Sequence, residues 1–230
     1  MSGHGRGSAW PVPGAGHVTE FAVRREIVAA ARQLQELGLT QGTSGNISAR
    51  FGDRMLITPS AVPYADMVPG DLVAMSFDGT VRNTRRSHRP STEWLMHAYI
   101  LTSAPDVGAI VHAHPPSATA LSCLRRDIPA FHYMVAVAGG TVIKCSEYAT
   151  FGSKELADAA ILALGNRRAC LLANHGIIAC GTSVAGALSL AVEVEALAEH
   201  YTRALSVGEP TLLTSEEMDR VMKEFESYGR

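Results

Sequence analysis

The sequence has no disulfide framework, no long apolar run without breakers, no excess of charge and few aromatic residues, and each absence removes a class of protein. Its four cysteines, Cys123, Cys145, Cys170 and Cys180, are far apart, form no Cys-x-x-Cys pair and lie in or beside apolar runs. That pattern suits reduced, buried thiols rather than a stapled secreted scaffold. Lys and Arg total 20 against 22 Asp and Glu, a formal net charge of -2. No electrostatic reason exists to expect nucleic acid or an anionic membrane as a partner, so any phosphate chemistry must be local. The longest uncharged stretch, Gly176 to Val192, is interrupted by Gly181, Thr182, Ser183 and Gly186. It reads as strand, turn and helix start rather than as a membrane span.

What is present fits an ordinary globular protein. Apolar residues make up 47% and aromatics 6% of 230 residues, enough for one substantial core. Residues 1–17 form a Gly-rich leader with no apolar signal-peptide core, which predicts a flexible tail, a cytoplasmic location and a single domain over 18–230. Phe21, Val23, Ile27, Val28, Ala31, Leu34 and Leu37 recur at helical spacing before Gly38. Strands are expected at 46–50, 55–58, 72–76 and near Val81, then at 108–112, 141–143, 169–172 and 177–179. Helices are expected at 91–102, 116–124, 154–164 and 184–205. Thr214-Ser-Glu-Glu217 has the capping-box pattern of a last helix ending near Ser227. The fold class that follows is α/β, with a mixed, mostly antiparallel sheet.

Three histidines stand at strand ends. In Ala109-Ile-Val-His-Ala-His-Pro115, His112 and His114 are two residues apart, so both side chains project from one face and can reach one metal ion. His175 ends the apolar run Leu171-Leu-Ala-Asn-His, with Gly176 permitting a tight path beside it. Three neutral imidazoles with an open position are what a catalytic zinc requires. Taken singly, each is equally a packed or hydrogen-bonded histidine. Pro90-Ser-Thr-Glu-Trp begins a helix, with Ser91 as N-cap and the amides of Thr92 and Glu93 at the positive end of the dipole. Alone, Glu93 is an ordinary first-turn acid, and His97 one turn on reads as packing. Two more loops, Gln41-Gly-Thr-Ser-Gly-Asn46 and Ile57-Thr-Pro-Ser-Ala61, can cradle an anion with neutral donors, although ordinary turns look the same.

In order along the chain, GTSGNIS (42–48), ITPS (57–60), PSTEW (90–94), VHAHP (111–115), IPAFHYM (128–134), YATFG (148–152), NHG (174–176) and FESYG (225–229) resemble the class II aldolase/adducin family, from Phe21 onwards. The nearest branch is the one that cleaves ketose 1-phosphates of the L-fuculose 1-phosphate type. The resemblance implies a three-layer fold and one Zn2+ per subunit on His112, His114 and His175. Glu93 completes the coordination at rest and acts as base during turnover. It further implies a substrate phosphate held by Thr43, Gly45, Asn46, Ser60, Ala61, Ser91 and Thr92. Tyr133 and Tyr228 lie by the second carbonyl substrate, often across a subunit boundary of a homotetramer. Three positions depart from the pattern: Ala61 stands where Gly is usual, Thr92 where Ser is common, and Asn174 where a further His is frequent.

The implied reaction is reversible cleavage of a small phosphorylated sugar to dihydroxyacetone phosphate and a short aldehyde such as L-lactaldehyde. Glu93 moves the proton at the hydroxymethyl carbon and Tyr228 serves the aldehyde oxygen. Other reactions on this scaffold share the ligands: L-ribulose-5-phosphate 4-epimerase, a sugar-acid decarboxylase and a methylthioribulose-phosphate dehydratase. The HYM, YATFG and tail-tyrosine segments favour the aldolase, with 5-deoxypentulose phosphates as alternative substrates. An adducin-like binding module is the reading from another class, and retention of the histidines and Glu93 speaks against it.

Overall fold

Successive side chains of a strand face opposite sides, and here both sides are apolar. Ile47, Ala49, Leu56, Ala74, Val111 and Ala179 enter one core, while Met55, Ile57, Val73, Met75, Ile110 and Ile178 enter another. A sheet buried on both faces needs a helical layer on each, which produces three layers. The computed structural model describes residues 18–83 and 88–227, so the predicted leader and Tyr228 lie outside the described residues. Strands β1 (Asn46–Phe51), β2 (Arg54–Ile57), β3 (Val73–Ser76), β4 (Val81–Asn83), β5 (Ala109–Ala113), β6 (Ala169–Leu172) and β7 (Gly176–Gly181) form one sheet. Its order is β4-β3-β2-β1-β5-β7-β6, and every neighbouring pair is antiparallel. Among the described residues the expected mixed character is limited to one isolated parallel bridge, between Cys145 and Leu171.

Helices α1 (Glu20–Glu36), α3 (Pro116–Cys123) and α5 (Val184–Val207) cover the first core. Helices α2 (Trp94–Ser103) and α4 (Lys154–Leu164) cover the second, and α6 (Ser215–Ser227) packs outside, on a 3-10 turn at Tyr133–Ala138. Hydroxyls not singled out in the sequence cap three helices: Thr19, Ser153 and Ser183 each accept a backbone N–H of the first turn. Thr214 does the same for Glu217 at the start of α6. Among the described residues no helix is long and apolar enough to cross a membrane.

Three expectations fail. The helix predicted from Ser91 starts at Trp94, and Ser91 is not its N-cap. Residues 89–91 are instead drawn alongside the end of β2: Ser60 N donates to Arg89 O at 2.9 Å and Ser91 N to Thr58 O at 3.1 Å. Those bonds hold the backbone extended and delay the first helical turn. The strand expected at 141–143 is reduced to a bridge in which Ile128 and Ile143 exchange two 2.9 Å hydrogen bonds. Cys170 and Cys180 are buried and Cys145 half-buried, as expected of structural thiols, but Cys123 at the end of α3 is exposed.

Candidate active site

The site is built where β5 and the β6–β7 hairpin end together. Antiparallel register sets Asn46 of β1 and Ile178 of β7 opposite His112, so Asn46 and His112 share a face of the sheet. His114 follows just beyond β5. His175 sits at the hairpin turn, where its N–H bonds Leu172 O at 3.0 Å and Asn174 takes a left-handed φ of 54°. Asparagine tolerates that conformation, so the residue standing where a histidine is frequent serves the turn itself. Glycine is required on both sides of the histidine strand. A Cβ on Gly45, at φ 78°, would stand 2.7 Å from His112 O, and one on Gly176 would stand 2.3 Å from Ala113 O. The motif glycines therefore let two loops close on the strand that carries the histidines.

The three imidazoles converge, with ring centroids 4.8 to 4.9 Å apart. His112 Nε2 lies 3.0 Å from His114 Nε2 and 3.1 Å from Glu93 Oε2, and His175 Nε2 lies 3.4 Å from Glu93 Oε1. His112 Nδ1 donates to Ile177 O at 2.9 Å, which leaves Nε2 as the lone-pair nitrogen of the neutral ring. Lone pairs of imidazole and carboxylate facing one another at such distances repel unless a cation, proton or metal, lies between them. A divalent metal fits this donor set: one candidate ligand atom from each histidine falls within 4.8 Å of the others.

Electrostatics agree with that account. Burial pushes the Glu93 carboxyl up, but the opposing charge and hydrogen bond of His112, with His175 and the Asn46 amide, outweigh it and hold the group ionised far below the usual carboxylate range. Burial pushes His112 down, and Glu93 more than reverses this, leaving His112 raised. Burial, reinforced by His112, lowers His114 to about 3 and His175 to about 4. Beneath them His97 is fully buried, with Nδ1 2.7 Å from Ser48 Oγ and a value pushed down by burial to about 3. It is packing under the site, as its position on the helix suggests.

Above this floor opens a cavity of about 480 Å3. All seven residues predicted to hold phosphate, Thr43, Gly45, Asn46, Ser60, Ala61, Ser91 and Thr92, line it together with Glu93, His114 and His175. Among the described residues none that lines it is Lys or Arg, so an anion here meets their neutral donors and whatever charge the floor holds. Ser44, Pro59 and Asn174 also line it; they sit inside motifs the sequence reading used, which did not assign them to the phosphate. Tyr148 and Ala149, from the YATFG motif, complete the wall beside Phe151. Tyr133 does not join them within the chain. It is 50% exposed and stacks on Phe225 of α6 with ring centroids 6.5 Å apart, because the Tyr133–Ala138 turn faces α6 rather than the cavity.

Comparison with known proteins agrees with the geometry. The family described as class II aldolase and adducin N-terminal domain matches residues 25–202. A 5-methylthioribulose-1-phosphate/5-deoxyribulose-1-phosphate aldolase of Rhodospirillum rubrum is 51% identical over 92% of this chain and 94% of its own. L-fuculose phosphate aldolase of Escherichia coli K12 is 44% identical over 89% of this chain and 94% of its own. The solved structure of an L-fuculose 1-phosphate aldolase superposes with a TM-score of 0.86 at 41% identity, covering 89% of this chain and 96% of that one. The chain belongs to the class II aldolase/adducin family, and within it stands among the aldolases.

Proposed function

We propose that the protein is a zinc-dependent, cytoplasmic aldolase that cleaves a ketose 1-phosphate to dihydroxyacetone phosphate and a short aldehyde. The observation that carries this is the convergence of three imidazole nitrogens and the Glu93 carboxylate under a cavity rimmed by neutral anion donors. When bound, zinc supplies the positive charge that steadies an enediolate. His112, His114 and His175 would hold it, and Glu93 would close the set until substrate enters. Thr43, Ser60, Ser91 and Thr92 grip the phosphate at the rim and so fix the sugar's first carbons over Glu93. Glu93 takes up or returns the proton at the hydroxymethyl carbon. Tyr228 serves the aldehyde oxygen.

A homotetramer with sites near its interfaces reconciles Tyr133 with a role at the aldehyde. Within one chain Tyr133 is half exposed and away from the cavity, while Tyr148 and Phe151 stand exposed at the cavity mouth. Among substrates, 5-deoxypentulose 1-phosphates lead, since the relative of that name shares more identity than those named for fuculose phosphate. L-Fuculose 1-phosphate is the second reading, supported by the superposed structure. The test is a retro-aldol panel of 5-deoxyribulose 1-phosphate, L-fuculose 1-phosphate, L-rhamnulose 1-phosphate and L-ribulose 5-phosphate. Release of dihydroxyacetone phosphate from a ketose 1-phosphate is expected. Turnover of ribulose 5-phosphate alone, without that product, would make the protein an epimerase and end the proposal.

A further inference from the structure

Helix α3 begins on two prolines directly behind His114. Neither Pro115 nor Pro116 carries an N–H, the Pro115 ring offers no acceptor to cap the helix, and Thr119 N already donates to Pro115 O at 2.9 Å. The amides of Ser117 and Ala118 are therefore the donors of the first turn left without a helical acceptor. Both are met from another helix: they donate to Glu195 Oε1 and Oε2 of α5, each at 2.8 Å. A carboxylate that grips two adjacent amides fixes the helix end in direction as well as in place, and the positive end of the helix dipole favours its charge.

The other end of the same eight-residue helix meets a second metal-ligand candidate. Ser122 is fully buried, and its hydroxyl donates to Thr119 O at 2.8 Å, which leaves its lone pairs free to accept. His175 N, shared with Leu172 O, donates to Ser122 Oγ at 3.3 Å, and Asn174 N donates to Ser122 O at 3.0 Å. Helix α3 thus joins the backbone of His114 at one end to that of His175 at the other, while His112 is fixed by the sheet register. We infer that α3 is the strut that sets the spacing of His114 and His175, and that Glu195 is the positioning residue that locks it. Glu195 is not among the residues lining the cavity and acts through the backbone alone. This rests on the metal-dependent aldolase reading above.

The test uses Glu195→Gln, which keeps the side-chain shape but turns an NH2 toward one of the amides, with Glu195→Ala beside it. Ser122→Ala probes the opposite end of the strut, and Thr19→Ala removes a cap from α1 for comparison. Three quantities are read: the melting temperature of the metal-free protein, zinc affinity by competition with a chelator, and the visible bands of the cobalt-loaded protein, which follow the ligand geometry. Each change should lower the melting temperature by about 2–4 °C, the usual cost of one lost cap in a chain of this size. Only the Glu195 and Ser122 variants should also alter the cobalt bands and weaken zinc, by about 10-fold, the low end for groups that orient a metal ligand. Glu195→Gln combined with Ser122→Ala should lose about 10-fold rather than 100-fold, because either change already frees α3. Zinc affinity within about 3-fold of wild type and unchanged cobalt bands in both Glu195 variants would make Glu195 a cap like Thr19 and overturn the assignment. Losses that multiply in the double variant would overturn it as well. A wild type that binds neither ion would instead sink the metal-dependent reading itself, which keeps the two failures apart.

Discussion

The floor and the rim of the cavity are built in opposite ways. On the floor, His112, Asn46 and Glu93 are 0%, 3% and 6% exposed, sit on strands or at the head of a helix, and are each held by a second group. On the rim, Thr43, Ala61, Thr92, Tyr148 and Phe151 are exposed and belong to loops. Groups that must meet to fractions of an ångström are placed on rigid elements, while groups that choose among substrates are placed where the chain tolerates change. On this basis floor substitutions act on kcat and metal, and rim substitutions act on KM with little loss of turnover.

The sharpest test of the floor is removal of the cation. Dialysis against a chelator, or His112→Ala, should abolish cleavage, and added zinc should restore the chelated wild type but not the variant. Full activity in the metal-free protein would break the comparison outright. Next in size is Glu93→Gln, which keeps a side chain of the same shape beside the histidines. It should retain metal and lose about 10²–10⁴-fold in kcat, as expected for a lost general base. A near-normal rate removes Glu93 from that role.

A pH experiment separates the three histidines. In the metal-free protein the pKa of His112 is raised by Glu93, so the pair stabilises the fold fully below the unfolded imidazole value of about 6.5 and is lost as pH rises through the raised folded value. Metal binding has the opposite sign, since the proton on His112 competes with the ion. His114 at about 3 and His175 at about 4 are neutral in the folded protein, so against the unfolded value of about 6.5 they add stability as pH rises toward it and no further slope well above it. Well above the unfolded imidazole value, zinc affinity measured by calorimetry should therefore rise with pH while the melting temperature of the metal-free protein falls. Glu93→Gln, lacking the cause of the shift, should flatten both trends.

The same division decides how much was legible in the sequence. Strand period and the two-residue spacing of His112 and His114 are local, and so is the run that ends at His175, so the metal-ligand candidates could be read directly. The rim loops were found because small polar residues and glycines cluster in them. Contacts made across the sheet left no trace. Asn46 and Glu93 are 47 positions apart, and only the β1–β5 register and the position of α2 bring them together. The late start of α2 was likewise hidden, because it depends on bonds from Ser60 and Ser91 to segments distant in the chain. Tyr133 was recognised by motif, but the direction it faces is set by packing against α6.

Tyr64 shows how the floor supports the rim. It is 2% exposed, and its hydroxyl donates to Gly45 O at 2.7 Å, while Thr40 Oγ1 donates to Ser44 O at 2.5 Å. The Ser44 and Gly45 carbonyls of the anion loop are thus occupied from within the protein. Tyr64→Phe should cost about 1 kcal/mol of stability, the usual net value of one hydrogen bond. It should raise the inhibition constant of phosphate a few-fold with kcat held. A fall in kcat at unchanged phosphate affinity would show that floor and rim are not separable at this point.

The smallest effect is expected at Ala61, on the rim itself. Its φ of 60° lies in the left-handed region, which costs a residue with a Cβ roughly 1–2 kcal/mol. Glycine at the same place loses more freedom on folding, about 0.4–1 kcal/mol. The strain is the larger of the two, so Ala61→Gly should stabilise the fold by about 0.5 kcal/mol, read as a higher urea midpoint at an unchanged slope. Ala61 is exposed and makes no side-chain hydrogen bond, so phosphate inhibition should stay within about 2-fold, well under 1 kcal/mol. Destabilisation on losing this methyl would mean that the rim is packed as tightly as the floor, and the contrast between them would fail where it is easiest to measure.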